Sequence, residues 1–217
     1  PPMTRILIAD EVGLGKTIEA GYILRELRSR EDIRRVMVVC PASIRLKWEA
    51  ELARRFDERF EIIDSSDLRN ELIKIRDDPQ AARTRFQKII SIQSLRSRLG
   101  LLQTVRLELD LLIVDEAHLC RNNDTQQHRS VRELIDSSGS VVFLTATPLQ
   151  TRDSDLFHLL NLLLPEDFPD RDQFDRRTAV NEHIVRAESI LSRGVRSQEQ
   201  ISQVQSVLAG IPRSRGG

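Results

Sequence analysis

Residues 10–17 read Asp-Glu-Val-Gly-Leu-Gly-Lys-Thr, and they constrain the fold more than any other stretch of the chain. A short apolar run, Ile6-Leu7-Ile8-Ala9, precedes them, and a segment of helical character, Thr17 to about Arg30, follows. A strand, a glycine-rich turn and a helix in that order make a phosphate-binding loop. Successive backbone N–H groups and the free amides of a helix N-terminus converge there on an anion. On this reading Gly13 and Gly15 let the backbone approach the phosphates of a nucleoside triphosphate, and Asp10, Leu14 and Ile18 complete the loop. Lys16 reaches the β- and γ-phosphates, and the Thr17 hydroxyl holds Mg²⁺. The general pattern has a glycine where this chain has Asp10.

A loop of this kind needs a sheet to stand on. Apolar runs predict strands at Arg5–Ala9, Val36–Cys40, Glu61–Ile63, Lys88–Ser91, Leu111–Val114 and Val141–Leu144. Several are near-continuous rather than alternating, as in strands covered on both faces. Between them, Ile44, Trp48, Leu52 and Phe56 recur every four residues on one helix face, with Ser43 as a candidate cap. Leu68, Leu72 and Ile75 mark another helix, His128, Val131, Leu134 and Ile135 a third, and Asp153 to Leu164 a fourth, closed by Pro165. Strands alternating with helices predict an α/β, doubly wound parallel sheet with helices on both faces. Beyond Pro165 the apolar pattern thins: residues 170–193 are charged with helical character, and the chain ends in a Ser-, Gln- and Arg-rich stretch. The expected organisation is a nucleotide-binding lobe over residues 1–168 and a mainly helical extension over 169–217.

The 217 residues carry a formal net charge of zero, so no global basic field points to nucleic acid. Lys16, Lys47, Lys74 and Lys88 are the only lysines; every other basic residue is arginine. Cys40 and Cys120 have no metal-like spacing and read as reduced thiols. No signal stretch or run of eighteen apolar residues is present, and the expectation is a cytoplasmic chain without membrane contact, compatible with a bacterial nucleoid.

The second chemical element is Leu111-Leu112-Ile113-Val114-Asp115-Glu116-Ala117-His118. An apolar strand ending in two carboxylates places them at the carboxyl edge of the sheet, where such folds bind ligand. Asp115 is a candidate Mg²⁺ ligand and Glu116 the candidate base for an attacking water, with Lys16 completing the catalytic set. The third is Leu144-Thr145-Ala146-Thr147-Pro148. Its hydroxyls, Thr145 and Thr147, either bond to His118 and relay the state of the γ-phosphate, or simply close a strand-end turn.

Together these motifs resemble the N-terminal motor lobe of the SNF2/Swi2 group of superfamily 2 helicase-like ATPases. Ala9-Asp10-Glu11-Val12-Gly13-Leu14-Gly15-Lys16-Thr17 is similar to that group's nucleotide loop, in which Asp-Glu replaces the leading glycine. Asp115-Glu116-Ala117-His118 matches its DEAH element, and Leu144 to Gln150 its motif III, with Thr151 departing from the family's usual asparagine. Val12 and Ile18-Glu19-Ala20-Gly21 look most like the bacterial branch of ATPases associated with RNA polymerase. The resemblance implies a RecA-like fold, ATP and Mg²⁺ as cofactors, and hydrolysis coupled to movement on double-stranded DNA. It also implies backbone-gripping positions at Ser43 and Lys47, and at Gln93, Ser94 and Arg96. Lys47 and Arg96 read equally well as solvated charges, and Trp48 as core. A nucleotide-dependent module docking to RNA polymerase without translocation is the alternative.

Motors of this family pair two lobes around ATP, the second supplying arginines worth on the order of 10³–10⁵ in rate. None of that lobe's motifs occurs in these 217 residues. The expectation is that they bind Mg²⁺-ATP weakly and hydrolyse it poorly without a C-terminal RecA-like lobe.

Overall fold

The computed structural model describes residues 4–9, 15–146 and 153–178. The chain divides into two compact units, Pro1–Leu164 and Pro165–Gly217. In the first, strands β1 (Arg5–Ala9), β2 (Arg35–Cys40), β3 (Glu61–Ile63), β4 (Phe86–Ser91), β5 (Leu109–Val114) and β6 (Ser138–Thr145) form one sheet in the order β1-β6-β5-β2-β4-β3. Every pairing is parallel. The helices are α1 (Lys16–Arg30), α2 (Arg45–Phe56), α3 (Ser65–Asp77), α4 (Ile92–Arg96), α5 (Leu99–Leu102), α6 (Gln126–Asp136) and α7 (Asp153–Leu163).

Alternation along the strands builds two cores. Val36, Val38 and Cys40 face one side with Leu111, Ile113, Val142 and Leu144, where Ala20 and Leu24 of α1 and Trp48 and Leu52 of α2 cover them. Met37, Val39, Leu112, Val114, Val141 and Phe143 face the other, under Leu68 and Leu72 of α3, Leu95 of α4 and Val131 and Leu134 of α6. The sheet is covered on both faces, which is why its strands read as unbroken apolar runs. α1 and α2 approach closely because position 21 is glycine: a Cβ there would overlap the Phe56 ring.

Strands β1 and β3 have the expected bounds, while β2, β4, β5 and β6 outrun the apolar runs at their amino ends. Arg35, Gln87, Ser138 and Ser140 are buried within them despite their polarity. Arg35 donates from Nε to Glu108 O (2.7 Å), from Nη1 to Thr84 O (2.9 Å) and from Nη2 to Leu107 O (2.9 Å). Its guanidinium also lies 4.9 Å from the Phe86 ring centroid. Asp110 Oδ2 accepts from the backbone N–H of both Arg34 and Arg35, each at 2.7 Å. This network locks the loop before β5, where Glu108 adopts a left-handed φ of 44°.

Ser43 does not cap α2. It lies in a 3₁₀ turn, Ala42–Ile44, that runs into the helix, and the cap residue, Ile44, has no side chain to offer. α3, by contrast, starts with a full capping box, in which Asp64 accepts from Ser66 and Asp67 N–H while Asp67 Oδ2 accepts from Asp64 N–H at 3.0 Å. No helix among the described residues is long and apolar enough to cross a membrane. In the second unit, residues 171–178 are helical, and Phe174 is buried with its ring 6.3 Å from that of Phe168.

Candidate functional site

All strands being parallel, the carboxyl ends of β1, β2, β4, β5 and β6 lie on one edge of the sheet. The described candidate residues lie at those carboxyl ends or in the turns and helices that follow them. Gly15 precedes α1 with φ 94°, a conformation that a Cβ would penalise. Its carbonyl accepts from Ile18 N–H at 2.7 Å and Glu19 N–H at 3.1 Å, and no side chain caps the helix. Lys16, Thr17 and Ile18 occupy its first turn. Asp10, Gly13, Leu14 and Thr147 lie outside the described residues.

Asp115 directly follows β5, its N–H donating to Val39 O at 2.8 Å. Its carboxylate is held twice: Oδ1 accepts from Glu116 N–H at 2.8 Å, and Oδ2 from Trp48 Nε1–H at 2.8 Å. Burial raises the Asp115 pKa above the ordinary carboxylate value, opposed by the Trp48 and Glu116 hydrogen bonds. Glu116 then turns the chain with φ 52° and ψ 46° into a 3₁₀ turn, Ala117–Cys120. A left-handed conformation costs a non-glycine residue about 1–2 kcal/mol. Glu116 Oε2 lies 3.1 Å from His118 Nδ1, yet it is buried with no hydrogen-bond donor aligned on it. Thr145 Oγ1, at the end of β6, sits 3.3 Å from the same His118 nitrogen.

A cleft of about 370 Å³ joins these elements, lined by Gly15, Lys16, Thr17 and Ile18, by Lys47, Trp48 and Glu51 of α2, and by Asp115 and Glu116. The fold thus brings together the lysine, the hydroxyl and both carboxylates that the sequence placed about a hundred residues apart. Lys47, an expected nucleic-acid contact, is exposed and also lines this cleft. Ser43 is exposed on its turn. On α4, Gln93 and Arg96 are exposed, while Ser94 is tied to Ser91 through its N–H and hydroxyl, each at 3.0 Å. Cys40 and Cys120 are free, buried thiols whose pKa burial pushes up to about 12, which disfavours the reactive thiolate.

The donor set suits a magnesium ion shared with a phosphate. Each Asp115 oxygen carries one donor and keeps a lone pair, and Thr17 lines the same cleft. Among the described residues no group of three or more His, Cys, Asp or Glu side chains forms a cage. Mg²⁺ is commonly held in this way, by one or two protein groups with phosphate oxygens and water.

Phosphate-loop helix, carboxylate-ended strand and all-parallel sheet define the class as a RecA-like α/β lobe. The model of the SNF2-related domain matches residues 3–211, and the chain belongs to that family. It is 35% identical over 174 residues to the RNA polymerase-associated protein RapA of Yersinia enterocolitica serotype O:8, and 36% identical over 174 residues to that of Yersinia pestis strain Pestoides F. These matches take in 78% of this chain but 18% of the relatives' length. Among solved structures, the Sulfolobus solfataricus SWI2/SNF2 ATPase core in complex with dsDNA aligns with 96% of this chain and 39% of its own, at a TM-score of 0.63 and 21% identity. At that identity the likeness speaks for the fold.

Proposed function

We propose that this lobe binds Mg²⁺-ATP in the cleft between α1 and β5 and serves a nucleic-acid-dependent ATPase that moves on double-stranded DNA. The observation that carries it is the meeting of Lys16 and Thr17 with Asp115 and Glu116 on one cleft at the carboxyl edge of the sheet. The first turn of α1 receives phosphate oxygens, and Lys16 adds a positive charge to them. Thr17 and Asp115 hold Mg²⁺, which supplies charge neutralisation on the β- and γ-phosphates. Glu116, whose buried oxygen has no donor, orients and deprotonates the attacking water. His118, 3.1 Å from Glu116 and 3.3 Å from Thr145, couples that base to motif III, which includes Thr147. Asp10, Gly13 and Leu14 complete the loop. Ser43, Gln93, Ser94 and Arg96 are proposed contacts to a sugar-phosphate backbone, with Lys47 shared between track and cleft. The extension over 169–217 leads, on this reading, toward a second RecA-like lobe, and the setting is the bacterial cytoplasm.

A second reading has support in the relatives' name, which associates them with RNA polymerase. In it, nucleotide binding docks a partner protein without translocation. ATP hydrolysis with and without duplex DNA separates the two. The motor predicts DNA-stimulated turnover by the protein with its second lobe, and Lys16→Ala lowers it about a hundredfold or more. Nucleotide binding with no stimulation by DNA would leave the docking module.

A further inference from the structure

Trp48 is the one tryptophan in the chain. It is also among the largest fully buried side chains, at 1% exposure. Apolar periodicity accounts for its place on the inner face of α2 beside Leu52, but not for the direction of its indole N–H. That group donates to Asp115 Oδ2 at 2.8 Å, across 67 residues of sequence. The bond joins a helix otherwise packed only by apolar contacts to the one carboxylate proposed to meet the metal. Without it Asp115 would keep a single donor, the Glu116 N–H on Oδ1, and its carboxylate would be free to swing about that bond.

We propose that Trp48 is a positioning residue for the metal-nucleotide site: its indole N–H fixes the rotation of the Asp115 carboxylate. This rests on the reading of Asp115 as a Mg²⁺ ligand. Its energetic weight falls on metal-dependent affinity and not on nucleotide binding as such, because Trp48 touches the carboxylate while the phosphate-facing amides of α1 are untouched by its loss. Groups that orient a metal ligand from behind typically change metal affinity by about 10–100-fold.

The test compares binding of a fluorescent ADP analogue to the full chain in Mg²⁺ and in EDTA, for the parent, Trp48→Phe and Asp115→Asn. The expected result for Trp48→Phe is a roughly tenfold or larger loss of the Mg²⁺-dependent gain in affinity, with the EDTA affinity unchanged. A second readout leaves Trp48 in place. With ¹⁵N-labelled protein the single indole N–H resonance is expected to shift in Asp115→Asn and to broaden when Mn²⁺ and ADP are added. If Asp115→Asn loses the metal-dependent gain but folded Trp48→Phe keeps it, the inference is overturned and the site reading stands. If Trp48→Phe does not fold, the resonance decides: an indole signal indifferent to Asp115→Asn overturns the inference. No metal-dependent binding by the parent overturns the site reading and the inference with it.

Discussion

Strand β5 is flanked by two residues in the left-handed region, Glu108 with φ 44° and Glu116 with φ 52°, and the molecule treats them in opposite ways. At the amino end the strained turn is tied down. Arg35 donates to the carbonyls of Leu107 and Glu108, and Asp110 holds two backbone N–H groups. At the carboxyl end the backbone is also hydrogen-bonded, but the strained residue itself keeps a buried side-chain oxygen, Glu116 Oε2, with no donor aligned on it, beside a desolvated Asp115. The same backbone cost comes with satisfied side chains at one end and with an unsatisfied one at the other. A fold optimised for stability alone would treat both ends like the first. Unsatisfied polarity kept at one edge marks where a ligand would complete the bonding.

That contrast can be broken from either end. The largest effect is expected from Glu116→Gln, which keeps the shape but not the base. Turnover by a protein carrying the proposed second lobe falls by about 10²–10⁴, while the unfolding free energy from urea denaturation stays within roughly 0.5 kcal/mol of the parent. Comparable losses of both would make Glu116 a structural residue. Next comes Arg35→Met at the opposite end, expected to cost about 2–3 kcal/mol by leaving the buried Leu107 carbonyl and the part-buried Thr84 and Glu108 carbonyls without their charged donor. Equilibrium denaturation measures it, and turnover per folded molecule should be unaltered.

Asp115→Asn sharpens the comparison through pH. Burial places the folded pKa of Asp115 above its unfolded value. Its stabilising contribution is therefore complete below the unfolded carboxylate range and lost as pH rises through the folded pKa. Near neutral pH the parent carries the cost of an ionised, desolvated carboxylate that the variant lacks. The variant's melting temperature relative to the parent's should be highest near neutral pH and should fall as pH drops toward the unfolded value of 3.8, on top of a constant loss because an amide offers one acceptor where the carboxylate offered two. A difference that does not change with pH would count against it. Smallest of all, Glu108→Gly should change stability by less than about 1 kcal/mol, because relief of the left-handed strain is partly cancelled by glycine's extra freedom in the unfolded chain. Denaturant midpoints and turnover, both near parental values, check it.

The core of each strand was legible because burial on both faces turns parallel strands into apolar runs. The amino ends of β2, β4, β5 and β6 were not. Arg35, Gln87, Ser138 and Ser140 are buried polar residues, satisfied by partners such as the Leu107 and Thr84 carbonyls for Arg35, and polarity alone hides such positions. The phosphate-loop lysine, its neighbouring threonine and the Asp115-Glu116 pair were legible as motifs, and the fold sets them on one cleft. Trp48 was legible only as core, since nothing in a four-residue periodicity says where an indole N–H will point. Lys47 was legible as an exposed basic residue, but its place on the lining of the cleft had no signal in the sequence. The strain at Glu116 had no signal at all, because glutamate gives no hint of a left-handed turn.

Gly21 carries a historical consequence. A methyl group there would overlap the ring of Phe56, so the two positions are not free to drift independently. A lineage can enlarge residue 21 only after residue 56 has shrunk, and in the reverse order it passes through an overpacked and destabilised intermediate. Where α1 meets α2, the order in which substitutions accumulate is therefore constrained, and joint change at positions 21 and 56 is the trace it leaves in descendants.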